Sequence, residues 1–302
     1  MRALAPQLAD SLATAPAPAA EGHGEAFNFA HLLDHVKDAH EIELPWIGHV
    51  ELPHIPPVTV AGVTIDLSPT KHVVFLLLAA IVLAVWAVTA ARSYRKNIVP
   101  RGMTNVLEAM VLFIRDEVAL PNMGPAGLRY VPYLLTTFFF ILVMNLLGLI
   151  PYGATSTGNI AVTAGLAVIA FIMIQVAAIR AQGLAQYLAH LTGGVHPVLW
   201  PIMVPIEVLG LFTKPFALCI RLFANMTGGH IVILSLLGLV FLFRSFAVGV
   251  GSVLFSVGIS LLELLVAFIQ AYVFTMLTSL FMGLGIEAGH VSEHQETGEH
   301  AH

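Results

Sequence analysis

One apolar run near the C-terminus constrains this chain more than any other feature. Residues 245–286 form a stretch of 42 residues with a single charged side chain, Glu263. A helix of that length would measure about 63 Å, roughly twice the thickness of the hydrocarbon core of a bilayer. The preceding segment, residues 198–243, is also largely apolar. Either both segments break, or both lie in a membrane at a tilt steeper than the usual limit of about 40°.

The composition excludes most other classes of protein. Hydrophobic residues make up 58% of the 302-residue chain and charged residues 10%, against roughly 25% charged residues in soluble domains. These values exclude a disordered chain and a typical soluble enzyme. The net charge of −5 offers no surface for nucleic acid, and the single cysteine, Cys219, cannot form an intrachain disulfide. The sequence therefore predicts an all-α membrane protein with about five membrane helices.

Three shorter apolar runs precede the C-terminal pair. Residues 73–91, 131–152 and 160–179 are each long enough to cross the hydrocarbon core. The basic residues that follow the first run are Arg92, Arg95, Lys96 and Arg101. By the positive-inside rule, this end of the run is cytoplasmic and the N-terminus lies outside. A short connector, residues 153–159, makes the next two runs an antiparallel hairpin, and the count of crossings places the C-terminus in the cytoplasm.

The remaining segments are more polar. Residues 1–70 form an outside extension that lacks the continuous apolar stretch of a signal peptide. Helical spacing of apolar residues predicts amphipathic surface helices over residues 26–43 and 103–120. Residues 71–288 form the membrane domain, and residues 289–302 form a His-rich cytoplasmic tail. The histidines at both ends are interpreted as solvated groups, so neither a metal ion nor another cofactor is predicted.

Several polar side chains lie deep in the two C-terminal segments. They are Glu207, Arg221, His230, Glu263 and Gln270. Ionisable groups inside membrane segments are costly, and by default they mark a pathway for ions or protons. The alternative is structural: a buried arginine anchors packing, or a His–Glu pair holds two helices together.

Helical rotation sorts these groups into faces. Since each residue turns a helix by about 100°, Glu207, Lys214 and Arg221 share one stripe. Asn225 lies on the same stripe, whereas His230 lies on the opposite face. The stripe therefore collects one acid, two bases and one amide along a single side of the segment.

An antiparallel hairpin would bring groups of the two segments to the same level. A turn at residues 244–247 places Arg221 level with Gln270 and His230 level with Glu263. Because of the helical rotation, only one of these pairs can face the contact between the segments well. The other pair would face a water-filled cavity or a partner.

The chemistry of these groups suits protons. Arg221 stays charged, so it can act as a fixed positive barrier but cannot relay a proton. A carboxylic acid that passes this arginine is pushed to ionise. His230 and Glu263 are groups that can exchange protons near neutral pH in a suitable environment. The moving carboxylate is not found in this chain, which points to a partner subunit.

A set of motifs around Arg221 resembles a known family. Residues 221–226 read RLFANM, residues 205–207 read PIE, and residues 145–151 read NLLGLIP. Together with residues 263–274, these segments are similar to subunit a of F-type ATP synthases, the stator half of the proton channel. The resemblance extends over residues 70–288.

The resemblance implies a role for each deep polar group. Arg221 is similar to the family's arginine that faces a rotating ring of c subunits and separates two half-channels. His230 and Glu263 resemble the relay pair of the half-channel open to the outside. Glu207 resembles the acid near the half-channel open to the cytoplasm. The family's polar neighbours of the arginine correspond to Asn225 and Gln270.

On this resemblance, the chain is expected to couple proton flow to rotation and ATP synthesis without being an enzyme itself. The expected partners are the ring of c subunits, b-type peripheral stalk subunits, the soluble ATPase head and the lipid bilayer of a bacterial inner membrane, with no nucleic acid. The alternative is a self-contained proton-coupled transporter, which the absence of an internal sequence repeat disfavours. A purely structural anchor would leave Arg221, His230 and Glu263 unexplained.

Overall fold

The computed structural model describes residues 41–44, 48–51, 58–60, 63–65, 68–96, 102–150, 155–191, 196–243 and 245–299. Two short antiparallel hairpins precede the helices: β1 (Glu41–Leu44) pairs with β2 (Gly48–Glu51), and β3 (Val58–Val60) pairs with β4 (Val63–Ile65). The surface helix predicted over residues 26–43 lies outside the described residues up to residue 40. Its last three residues belong to β1 instead, where polar and apolar side chains alternate with the period of a strand.

Eight α-helices make up most of the rest of the described chain. They are α1 (Lys71–Lys96), α2 (Met103–Phe113), α3 (Leu120–Met123), α4 (Val131–Gly148), α5 (Ile160–Gln182), α6 (Leu184–Leu191), α7 (Trp200–Phe243) and α8 (Phe246–Glu299). Among the described residues, five helical segments are long and apolar enough to cross a membrane, one each at α1, α4, α5, α7 and α8. The prediction of an all-α membrane protein with five membrane helices is confirmed.

The helix predicted over residues 103–120 is present but is not regular. After α2 the chain continues as a π-helix, Ile114–Ala119, and then as α3. The chain then turns at Gly124, whose φ of 61° is accessible to glycine. A 3₁₀-helix, Pro125–Tyr130, then leads into α4. This irregular segment is anchored on α8, because the Ser279 hydroxyl donates to the carbonyl of Val118 at 3.1 Å.

A short helix, α6, was not predicted. Gly183, with a φ of 81°, ends α5, and its N–H donates to the carbonyl of Ile179 at 2.8 Å. Its ψ of 157° places this residue in a backbone region that is essentially restricted to glycine. The chain turns at this glycine and forms one further amphipathic helix before α7.

The two long C-terminal segments form a hairpin of unbroken helices. Helix α7 has 44 residues, with Pro205 and Pro215 inside it, and α8 has 54 residues. The helices end and begin on either side of residues 244–245, as predicted for the turn. The polar tail expected after residue 288 continues α8 as far as Glu299. A helix the length of α7 spans about 66 Å, so the unbroken hairpin requires the strongly tilted arrangement in a bilayer of ordinary thickness.

The core lies where α4 and α5 pack against the hairpin. Fully buried side chains meet there from four elements: Leu134, Ile141, Leu222 and Phe274, with Ile114 from the π-helix. Helix α1 packs on the outer side of α4, where Trp86 meets Phe139 edge to face. One face of the hairpin is therefore covered by the rest of the chain, while the other carries no covering element among the described residues.

Candidate functional site

In the connector between α4 and α5, three of the described residues are buried inside the helix bundle. Thr155, Ser156 and Thr157 are at most 6% exposed, and Ser156–Gly158 forms a single 3₁₀ turn. The Ser156 hydroxyl donates to the carbonyl of His72 at the start of α1. Gly148 permits this packing, because a Cβ there would lie 2.8 Å from the Cβ of Thr155. The predicted polar loop is thus correct in position, but its described part lies inside the helix bundle.

Next to Arg221, a hydrogen bond between two amide side chains joins the two helices of the hairpin. The Asn225 side chain donates from Nδ2 to Oε1 of Gln270 at 2.7 Å. Gln270 was predicted to be level with Arg221, and its partner is one helical turn further along α7. Arg221 itself is exposed, so its side chain does not take part in the buried contact between the two helices.

Glu263 lies where Gly229 brings the backbone of α7 close to α8. Its side chain is 7% exposed, and it packs against the backbone of Gly229. A Cβ at residue 229 would overlap Oε1 and would lie 2.8 Å from the carboxyl carbon. A glycine at this position therefore makes room for the acid. Oε1 is buried and has no hydrogen-bond partner among the described residues.

His230 is level with Glu263, as predicted, but its ring is bonded elsewhere. Its Nε2 lies 2.5 Å from the hydroxyl of Thr155 in the buried connector. In the described part of the chain, no ion pair or hydrogen bond joins the imidazole to Glu263. Because adjacent helical residues point about 100° apart, Gly229 faces α8 while His230 turns toward the connector.

A second polar contact links the connector to α8. Asn145 is fully buried in α4, and its Oδ1 accepts a hydrogen bond of 2.8 Å from the Thr157 hydroxyl. Its Nδ2 donates to the carbonyl of Ala267, on α8 between Glu263 and Gln270, at 3.4 Å. Sequence reasoning missed Thr155 and Thr157. Two sequence signals could have pointed to them. Asn145 is the single amide in the apolar run of residues 131–152, and the connector after this run is rich in hydroxyl side chains.

Polar groups on the far side of Arg221 are arranged differently. Glu207 is half-buried near Tyr187 of α6. Burial raises the pKa of the Tyr187 phenol, and the negative charge of Glu207 adds to the effect. The phenol donates to Oε1 of Gln175 at 2.6 Å. Lys214 lies with its Nζ 5.0 Å from the centre of the Phe281 ring, so its ammonium contacts α8 through an aromatic face.

The stripe predicted around Arg221 divides into two parts. Glu207 and Lys214 lie on its half-buried side. On its other side, within about 60° of Arg221, the residues between positions 210 and 228 are small and exposed: Gly210, Ala217, Ala224 and Gly228. Such a run of small residues lets a neighbouring helix approach closely. Between residues 210 and 228, Arg221 is therefore the one large side chain on an uncovered strip of small residues along α7.

The side chains of this region are suited to acid–base chemistry. Among the described residues, no group of three or more His, Cys, Asp or Glu side chains could hold a metal ion. The groups present are a buried carboxyl, an imidazole, hydroxyls, amides and one exposed guanidinium. They can hold protons and water, and they can repel a passing cation.

Comparison with known proteins identifies the family. The model of the family described as "ATP synthase A chain" matches residues 73–283, which include all of the site residues predicted from the sequence. The chain belongs to this family. The resemblance seen at residues 221–226 is thereby confirmed, and the chain is a multi-pass membrane component of the F-type ATP synthase complex.

Three bacterial relatives illustrate the similarity, and each bears the name ATP synthase subunit a. The relative from Chloroherpeton thalassium is 50% identical over 273 residues, covering 89% of this chain and 79% of the relative. The relative from Myxococcus xanthus is 57% identical over 240 residues, covering 79% and 78% respectively. The relative from Anaeromyxobacter sp. (strain Fw109-5) is 45% identical over 309 residues, covering 92% and 75%.

Proposed function

We propose that this subunit is the proton-translocating stator of its ATP synthase and forms two half-channels against a ring of c subunits. The observation that carries the proposal is the placement of Arg221. It is exposed on the uncovered face of the hairpin, and a titratable group lies along α7 on either side of it. Along α7, Glu207 is about 21 Å before the arginine and His230 about 14 Å after it.

The outer half-channel is assigned to the groups between Arg221 and the α7–α8 turn. Glu263 is a buried acid with an unpartnered oxygen among the described residues, and His230 lies level with it beside the Thr155 hydroxyl. A buried acid and an imidazole that can each take and release a proton meet the requirements of a relay. Asn225 and Gln270 close the region next to the arginine through their hydrogen bond.

The inner half-channel is assigned to Glu207. This carboxylate is half-buried and has the α6 phenol of Tyr187 nearby. An acid in such a position can collect or release protons at the cytoplasmic side without a long buried path. The two acids are separated by the fixed charge of Arg221, which protons cannot use as a carrier.

The c-ring contact is assigned to the uncovered strip around Arg221. The strip consists of small exposed residues, and α8 adds large exposed apolar side chains such as Leu254 and Leu261. An apolar strip with one cation suits a partner helix that carries a single carboxyl group. When that carboxyl group reaches Arg221 it ionises, and it is reprotonated only after it has moved on to a half-channel. Rotation is thereby coupled to proton flow.

The remaining assignments follow from the sequence and the family. The chain sits in the bacterial inner membrane with its N-terminus outside and its C-terminus in the cytoplasm, because basic residues are concentrated at the C-terminal end of α1. It catalyses no reaction itself. The b-type stalk subunits and the soluble ATPase head complete the complex on the cytoplasmic side.

Gentle purification from native membranes, followed by mass spectrometry, tests this function. We expect the chain to be recovered with a small, ring-forming, carboxylate-bearing hydrophobic subunit and with the ATPase head. We also expect the chain alone to move no protons when it is reconstituted in liposomes. A chain that purifies without partners and conducts protons by itself would overturn the proposal in favour of a secondary transporter.

A further inference from the structure

Four buried polar atoms of α8 have no hydrogen-bond partner among the described residues. They are Oγ of Ser252, Oγ of Ser256, Oε1 of Glu263 and Nε2 of Gln270. Two of these groups, Glu263 and Gln270, belong to the proposed proton pathway. The two serines belong to no site described so far, and Ser252 is only 4% exposed.

The four groups lie on a single stripe of the helix. The intervals between them are four, seven and seven residues, which keeps all four within about 40° of one another around the helix axis. The stripe extends for about 27 Å along α8. It begins near the α7–α8 turn, passes Glu263 and ends at Gln270.

The hydroxyls of the two serines lack the hydrogen bond to the helix backbone that other hydroxyls of α8 make. Thr275 and Thr278 each donate to the carbonyl four residues earlier, at 2.9 and 2.8 Å. Ser260, one turn after Ser256, also does so, at 3.0 Å. A hydroxyl inside an apolar helix ordinarily satisfies itself in this way. The oxygens of Ser252 and Ser256 are buried on the Glu263 stripe without making this bond.

The register of the hairpin places the serines on the α7 side of α8. Gly249 meets Val240, since a Cβ on the glycine would lie 3.6 Å from Cγ1 of the valine. Further along the hairpin, Gly229 meets Glu263. Ser252 and Ser256 fall between these two points of contact, on the stripe that continues to the acid.

We propose that Ser252 and Ser256 line a hydrated path that carries protons between the α7–α8 turn and Glu263. The inference rests on the proposed function, and it assigns two positioning residues to the route by which water reaches the buried acid. A hydroxyl both donates and accepts hydrogen bonds, so each serine can orient one water molecule. A proton crosses when each water accepts one proton and releases another, and no covalent group of the protein is consumed.

Thiol labelling of the whole ATP synthase in membrane vesicles tests the path. The single native cysteine is first removed as Cys219→Ala, and Ser252→Cys and Ser256→Cys are then introduced separately. The reagent is 2-(trimethylammonium)ethyl methanethiosulfonate, which does not cross membranes and is therefore enclosed in the lumen of inverted vesicles, at the face of the α7–α8 turn. We expect labelling of both thiols and a loss of ATP-driven proton pumping of about tenfold or more, the scale of a lost proton-transfer step.

Ser260→Cys in the same background is the matched control, because its native hydroxyl is already bonded within the helix. It is expected to pump as before after treatment. Labelling of Ser252→Cys and Ser256→Cys no stronger than that of Ser260→Cys, or labelling that leaves pumping intact, would overturn the path. Where a cysteine variant does not assemble, Ser252→Leu and Ser256→Leu are compared with Ser260→Leu for the same loss of pumping, and equal pumping in all three overturns it.

Glu263→Gln, measured in parallel, separates this inference from the proposed function. If Glu263→Gln stops pumping while the serine variants pump normally, the serine path is wrong and the proposed relay stands. If Glu263→Gln pumps like the unmodified protein, the proposed function itself fails.

Discussion

The hairpin of α7 and α8 differs on the two sides of Arg221. Toward the turn, the polar groups are enclosed by the chain itself: Glu263 packs on Gly229, and His230 meets Thr155 of the buried connector. Away from the turn, Glu207 is half-buried, and Lys214 contacts an aromatic ring. The polar groups toward the turn therefore lie in the interior of the helix bundle, and those away from the turn lie close to its surface.

This difference indicates how each side can exchange protons. An enclosed acid needs a route for water and a fixed orientation, so its neighbours matter as much as the acid does. A partly exposed acid has water at hand and depends less on its neighbours. We therefore expect substitutions on the turn side to have large effects, and the equivalent substitution on the far side to have a small one.

The largest of these effects is expected for Glu263→Gln. The amide has the shape of the acid but cannot release a proton at neutral pH, so the outer path loses its carrier. Passive proton flux through membranes stripped of the ATPase head is expected to fall by about a hundredfold. Glu287→Gln, an exposed acid later on α8, is the control and should conduct normally. Equal flux in both variants would remove Glu263 from the relay.

A smaller loss is expected for Gly229→Ala. The added methyl group overlaps the Glu263 carboxyl group, so either the acid or the helix contact must shift, at a cost of about 1–3 kcal/mol. Proton flux should fall by about tenfold, together with a lower unfolding temperature of the complex. Gly165→Ala is the matched control for a glycine-to-alanine substitution. A methyl group at this position meets nothing within 4 Å in the described structure. Wild-type flux in Gly229→Ala would show that the close approach of the helices is not needed.

A moderate loss is expected for Thr155→Val, which keeps the shape of the side chain and removes the hydroxyl that meets His230. Loss of one buried hydrogen bond costs about 1 kcal/mol, which corresponds to roughly a fivefold change in the population of correctly oriented imidazole. A stopped-flow measurement of proton uptake by the vesicles can detect this change. Thr136→Val, an exposed threonine of α4, should leave uptake unaltered. If the two valine variants behave alike, the connector has no part in positioning His230.

The smallest effect is expected for Glu207→Gln. Because this acid is half-buried, water and buffer can replace much of its function, and ATP synthesis should fall by only about twofold. The comparison is sharpened by measuring Glu207→Gln and Glu263→Gln in the same membranes. A loss in Glu207→Gln as large as that in Glu263→Gln would show that both sides of Arg221 are enclosed paths.

Much of the fold could be predicted because its signals are local. Apolar runs give the membrane helices, and the symmetric spacing of polar groups about residues 244–247 gives the hairpin and its approximate register. The closing turn lies where it was predicted. The same reasoning made Glu263 and His230 level with each other, although it could not say which neighbour each would touch.

The rest depends on contacts between distant segments. Helical rotation turned His230 away from α8, and its partner came from Thr155, which lies 75 residues earlier in the chain. No periodicity in α7 or α8 contains that information. Likewise, α8 continues through the polar residues to Glu299, because a helix already formed is easily extended and a change in hydropathy alone does not end it.

The central claim is that Arg221 separates two proton paths. It is tested most directly by measuring ATP synthesis and passive proton flux in the same vesicles for Arg221→Ala, with Arg180→Ala, an exposed arginine at the end of α5, as the matched control. We expect an assembled complex in which Arg221→Ala abolishes ATP synthesis while protons still cross the membrane sector, because the barrier is gone and both paths remain. ATP synthesis at the rate of the Arg180→Ala control would contradict it.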